Sequence, residues 1–238
     1  RNSKKPTFMK NTILLALVAL VFGWQQQAVA QTISECKVKY AITTKDVKDG
    51  QTAMLDGSRF SAAFKDANTR IQGDFMGGLL GVDMVMDEAK KEGLVLLDML
   101  ASRKAIPLNA SNYKNITGKA ANTSGSATTT MTKETRKIAG YTCKKGYVKA
   151  ADGTRTTVYI CEQIQVKNMT AMTPLFGNVK GFPLGLEYTL PKAQGGGKVE
   201  IFATSVSVEK IDDKEFKLAI PAGYDVTTIE ELQKMGGQ

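Results

Sequence analysis

From residue 31 onward the chain is written in short apolar–polar alternations, broken every few residues by Gly, Asn or Asp. No amphipathic helix of any length is legible before the C-terminal end. A repeat of two places successive side chains on opposite faces of a strand, so the pattern specifies half-buried strands joined by turns. Cys36 to Ile42 is the first such run, with Val38, Tyr40 and Ile42 on one face and Lys37 and Lys39 on the other. A turn over Asp46–Gln51 follows.

The segment 82–100 supports a sharper expectation. Asp83 and Asp87 mark one face of Val82–Asp87 as wet, so Val82, Met84 and Met86 point inward; Asp98 does the same for Leu94–Leu100 and leaves Val95, Leu97 and Met99 inward. Folding the two runs over a polar loop at Ala89–Glu92 sets Met86 against Val95, Met84 against Leu97 and Val82 against Met99 in an antiparallel hairpin. Two more hairpins are expected, 141–149 with 155–163 around Ala151-Asp152-Gly153, and 184–190 with 199–208 around Gly195-Gly196-Gly197. Residues 118–132 are small, polar and aperiodic, and read as a flexible loop within one domain, not a linker between two. At the end, Thr227 or Thr228 with Glu230 or Glu231 forms a capping box for a short helix that Gly236 closes.

The first thirty residues follow another rule. Met9-Lys10, the ten-residue apolar run Ile13–Phe22, a polar stretch and Ala28-Val29-Ala30 have the order of a cleavable secretory signal; residues 1–8 precede a plausible start at Met9. The apolar run is half of what a membrane span needs, about 20 residues. Cleavage near Ala30/Gln31 gives a single β-rich domain, 31–238, that is periplasmic or secreted and has no transmembrane span. Glu35 directly before Cys36 argues against lipoprotein processing there. Four of the 32 basic residues leave with the signal and none of the 23 acids does, so the mature charge is 28 against 23, or +5. Bases and acids are interspersed, as in Lys90-Lys91-Glu92, and no nucleic-acid-binding stripe is present.

The chain has no histidine. That removes Ser-His-Asp and Cys-His nucleophile arrangements, the usual base near neutral pH and the common zinc sets. Gly195-Gly196-Gly197-Lys198 lacks the earlier glycine and the following Ser/Thr of a phosphate loop, and Gly77–Gly81 misses the dinucleotide spacing. Asp83, Asp87 and Asp98 share one hairpin face and could hold a cation weakly, although a solvated face accounts for them. No enzyme and no cofactor are expected. Of three cysteines, one must remain unpaired after export to an oxidising compartment. A three-residue loop at 151–153 sets Cys143 opposite Cys161 for a cross-strand disulfide, whereas a two-residue turn at Asp152-Gly153 puts the thiols on opposite faces; Cys36 is then free or paired with one of the two. Met76, Met84, Met86 and Met99 gather around the first hairpin, as they do in plain cores and in adaptable ligand pockets.

Ile138-Ala139-Gly140-Tyr141-Thr142-Cys143-Lys144-Lys145, Phe182-Pro183-Leu184-Gly185-Leu186-Glu187, and Phe216 followed by Ile220-Pro221-Ala222-Gly223-Tyr224 form an ordered set. This set resembles an exported bacterial family of the GLPGLI-related kind (domain of unknown function 4412), common in Bacteroidetes-type bacteria. The likeness is strongest over 133–238 and looser over 36–117. Cys161 departs from it, standing where such proteins often carry threonine. The resemblance implies a lipoprotein-carrier-like (LolA-like) fold, a curved antiparallel sheet or half-open barrel around an apolar groove with a short C-terminal helix. It implies no activity. Loops such as 73–81 or 165–180 are candidates to plug the groove, since 228–235 is the one clear helix. The expected function is non-enzymatic binding or carriage of a lipid or other hydrophobic ligand on Val82, Met84, Met86, Val95, Leu97 and Met99. The alternative is a structural partner of an outer-membrane complex.

Overall fold

The computed structural model describes residues 33–100, 102–113, 128–149, 155–172, 176, 181–192 and 195–236. The expected signal segment 9–30, most of the expected loop 118–132 and the expected turn 151–153 lie outside them. Six strands, β1 (Cys36–Lys45), β2 (Arg59–Lys65), β3 (Asn68–Phe75), β4 (Leu80–Asp87), β5 (Glu92–Met99) and β6 (Ser102–Leu108), run as one antiparallel meander. A second meander comprises β7 (Thr128–Ile138), β8 (Tyr141–Lys149), β9 (Arg155–Cys161), β10 (Phe182–Thr189) and β11 (Lys198–Ser207). Pairing of β11 with β1 fuses them, and the two-residue β12 (Asp225–Val226) adds in parallel to β6, giving one curved, unclosed sheet of twelve strands. The fold is mostly β, the half-open barrel that was expected. Strand β7 begins at Thr128, so the polar segment contributes its last residues to the sheet edge. That edge carries exposed Lys133, Glu134, Arg136 and Lys137 and a register irregularity, both of which discourage further strand addition.

Curvature is measurable from side chains. Phe64 on β2 and Phe182 on β10 are three strand steps apart, about 14 Å across a flat sheet, yet their rings meet edge-on at 5.2 Å. Tyr40 stacks on Phe60 at 4.8 Å, and its hydroxyl donates to the Pro183 carbonyl at 2.9 Å. At the same end the sheet folds back on itself through a bridge of Ile33 to Ile164. The buried face of β1–β5 includes Val38, Tyr40 and Ile42, as read from sequence, together with Met86 and Val95 of the expected inward set; Phe60, Ala62 and Phe64 of β2 and Ile71 of β3, which the sequence reading did not assign, join them. Ile164, Ala171, Met172 and Phe176 pack into the core of the concave face, so the described residues of 165–180 behave as the expected plug; residues 73–81 are instead strand and a 3-10 turn.

The turn expected at Asp46–Gln51 contains the start of a one-turn helix, α1 (Gly50–Ala53), which Asp49 caps by accepting from the Thr52 amide at 2.9 Å. The terminal helix α2 (Ile229–Gly236) has its capping box in Thr228 and Glu231, each accepting from the other's amide, at 3.2 and 3.1 Å. Its Ile229 and Leu232 pack against the main core.

The sheet leaves no room for a side chain at Gly73. A Cβ there would lie 2.5 Å from the Phe60 Cβ and 2.9 Å from the Arg59 carbonyl oxygen, neither of which can swing away. Gly73→Ala should therefore destabilise the fold by about 1–3 kcal/mol, seen as a lower urea midpoint at unchanged m-value. An unchanged midpoint would contradict the packing described.

Candidate functional site

The hairpin of β4 and β5 forms as expected, but its register is shifted by two. Met84 faces Val95, Val82 faces Leu97, Leu80 faces Met99 and Met86 faces Gly93. The turn decides this. Asp87 accepts from the amides of Ala89 and Lys90, Lys91 adopts a left-handed φ of 57°, and the loop is 88–91, so Asp87 pairs with Glu92. A slip of two leaves every residue on its face, so hydrophobic patterning cannot detect it. Met86 and Val95 are buried, whereas Val82, Met84, Leu97 and Met99 are half-buried. The six thus form one apolar row on the concave face, buried at the Asp87 end and more open at the Leu80 end.

That open end has an apolar rim. Leu79, in the turn after the 3-10 segment Met76–Gly78, and Met54, just beyond α1, are exposed. Leu100, in the turn after β5, is 85% exposed. Behind the rim Phe75 stacks against Phe60 at 6.2 Å, and Phe60 against Tyr40, carrying aromatic surface toward Phe176 in the plug.

The opposite face is not simply wet. Val85, Leu94 and Leu96 point outward yet are buried, the leucines in a small second core with Ala105 and Tyr224. A strap, residues 211–226, crosses this face. Lys65 donates to the Ile211 carbonyl and pairs with Asp213, Lys37 pairs with Glu215, and Arg70 donates to the Glu215 carbonyl. The sequence reading missed the strap. Its available signal was the apolar residues on the aspartate-marked face, which require a cover.

Each of the three aspartates is engaged by a basic side chain of the protein. Asp83 is bound by Arg70 through two contacts of 2.9 and 2.6 Å, Asp98 pairs with Arg103 at 3.0 Å, and Asp87 pairs with Lys90 at 3.0 Å while capping its turn. Among the described residues no cluster of three or more acidic or cysteine side chains could hold a metal. Between the outer sheet face and the strap lies a groove of about 830 Å³, lined among others by Lys39, Arg59, Gln72, Asp74 and Tyr224.

The cysteines take the register of the three-residue loop. Cys143 lies directly opposite Cys161, and the ladder continues to Lys149 opposite Arg155. Both thiols are unbonded and wholly buried, as is Cys36. The Cys143 thiol is pushed up by its hydrogen bond to Cys161 and by burial, and burial pushes Cys36 up to about 12.

A scan of protein-family models returns no match for the chain, and a search of curated proteins returns none either. Solved structures give distant likenesses. One is PNGF-II, at a TM-score of 0.47 and 14% identity over 84% of this chain and 32% of that one. Another is the Pseudomonas aeruginosa MucA/MucB complex, at 0.42 and 11% over 80% and 57%. An uncharacterized conserved protein from Thermus thermophilus gives 0.44 and 11% over 82% and 91%. The chain spans about a third of PNGF-II and somewhat over half of the MucA/MucB chain.

Thiolate, not thiol, reacts with alkylating agents. Reduced native protein at pH 8 should therefore take up almost no maleimide at Cys36 or Cys143, both held as thiols, read by peptide mapping, and three labels per chain once denatured, read by intact mass. Rapid labelling of Cys36 in the folded state would contradict its burial.

Proposed function

We propose that this is an exported, non-enzymatic binding or carrier protein for a lipid or other hydrophobic ligand. One observation carries the reading. The apolar row of Val82, Met84, Leu97 and Met99 is half-buried and leads to the exposed rim of Met54, Leu79 and Leu100. Apolar surface left in contact with water at about 25 cal/mol per Å² is costly unless something occupies it. Thioethers adapt to guests of varied shape. The flanking aromatic stack supplies rigid walls. Nothing in the site supplies a nucleophile or a base near neutral pH, so binding without chemistry is what its side chains support. Export rests on the signal order of residues 9–30.

Met86, Val95 and the residues of the plug favour a second reading. Where those side chains seal the concavity, the same row is core, and the protein serves an outer-membrane complex as a structural or interaction partner.

A fluorescent fatty-acid probe separates the two. The carrier reading expects saturable binding by delipidated protein, and loss of that binding in Met84→Asp with the circular dichroism spectrum unchanged. No binding by wild type, with Met84→Asp unfolding the domain, would overturn it in favour of the structural partner; pull-down from envelope extracts would then identify that partner.

A disulfide between Cys143 and Cys161 belongs to the same exported protein. Two thiols directly opposite across an antiparallel ladder are within the Cα separation a disulfide spans. An external disulfide accepts the two electrons and two protons and is itself reduced to two thiols. Peptide mapping of protein oxidised in the periplasm, without reductant, should recover the 143–161 bridge and a free Cys36. A bridge containing Cys36 would refute the assignment.

A further inference from the structure

The groove on the outer face belongs to neither reading above. Cross-strand pairing arranges its floor in two rows. One runs Ala41, Arg59, Asp74, Gly81, Asp98 over β1 to β5, and the other runs Lys39, Ser61, Gln72, Asp83, Leu96 over the same strands. Tyr224 of the strap forms part of one wall, and Thr204 lines the β11 side. Gly81 deepens the hollow, because a Cβ there would lie 3.3 Å from the Asp98 Cβ. Its volume of about 830 Å³ falls in the range of small-ligand sites, roughly 300–1,000 Å³.

Charge within the groove is uneven. At the β4–β5 end Asp83 and Asp98 are neutralised by Arg70 and Arg103. At the β1–β3 end Lys39, Arg59 and Asp74 all line the groove, and none has an ion-pair or side-chain hydrogen-bond partner among the described residues. Lys39 and Arg59 are diagonal neighbours on adjacent strands, about 7–8 Å apart at their backbones, with only Ala41 and Ser61 between them. Asp74 is directly opposite Arg59, yet the two do not join in an ion pair. Two cations flanking small residues cradle one anionic group. The carboxylate one strand further on accepts from an ammonium or hydroxyl on the same ligand.

We propose that this groove is a second binding site, one that takes a zwitterionic phosphodiester of the headgroup type, with its phosphate between Lys39 and Arg59 and its ammonium on Asp74. A headgroup without acyl chains has no use for the concave apolar row, so this site stands or falls apart from the carrier reading. Phosphate geometry suits the forked Arg59 guanidinium.

The test is isothermal titration of the folded protein at low ionic strength with glycerophosphoethanolamine and, in parallel, glycerophosphoglycerol, which lacks the ammonium. The site expects saturable binding of glycerophosphoethanolamine. It expects Arg59→Glu and Lys39→Glu each to weaken that binding at least about tenfold, at unchanged thermal midpoint. Asp74→Asn should weaken glycerophosphoethanolamine and leave glycerophosphoglycerol unaffected or tighter. No heat of binding from folded wild type would overturn the proposal. So would equal affinity in the Arg59→Glu, Lys39→Glu double variant; inorganic phosphate competing as well as the zwitterion would overturn the ammonium assignment.

Discussion

A single twelve-stranded sheet has two faces to dispose of and, among the described residues, neither a second sheet nor a helical layer to cover them, so its own bend must bury one. Here the bend is tight enough to press Phe64 of one meander against Phe182 of the other and to let the Tyr40 hydroxyl reach the Pro183 carbonyl. Everything else follows from that closure. The concavity is small enough for one irregular segment, carrying Ile164, Met172 and Phe176, to fill it near β1 and β2. Farther along, toward the turns after β3 and β5, apolar side chains reach the rim. The three buried cysteines lie in the closed region, where the Ile33–Ile164 bridge draws the ends together.

Much of this was legible in the sequence because burial of one face imposes a period of two. The inward set of β1, the three hairpins and the C-terminal capping box follow from alternation plus turn residues, whereas the opposition of Cys143 to Cys161 was one of two registers the sequence left open. Two things did not follow. The two-residue slip between β4 and β5 was hidden, since it leaves every side chain on its face and depends on Asp87 and the left-handed Lys91 in the turn. The strap was hidden because residues 211–226 have little regular structure; what holds them is ion pairing to Lys37 and Lys65, the Arg70 contact to a backbone carbonyl and the Tyr224 contact with Leu94 and Leu96. Long-range pairing of that kind leaves no periodic trace. The candidate site was half legible for the same reason: its residue set came from alternation, and its degree of exposure came from the plug and the turns.

The strap also divides the outer face. With Leu94, Leu96 and Ala105 its Tyr224 completes a small second core, and the same tyrosine lines a groove in which Lys39, Arg59 and Asp74 are left without ion-pair or side-chain hydrogen-bond partners among the described residues. The sheet therefore offers two chemically opposite surfaces that share the rim near Leu80 and Met99, an apolar row inside and a charged hollow outside. The hairpin aspartates are committed to Arg70, Lys90 and Arg103, which leaves the apolar row and the charged hollow as the two surfaces on which binding is proposed.

The central claim is that the concave row accepts a hydrophobic guest. Native mass spectrometry of the protein purified without detergent from a bacterial envelope addresses it most directly. The account predicts a bound species of lipid mass that dissociates on collisional activation and is absent from Met84→Asp. A single mass equal to the bare polypeptide, unchanged when fatty acid or phospholipid is added in excess, would contradict it.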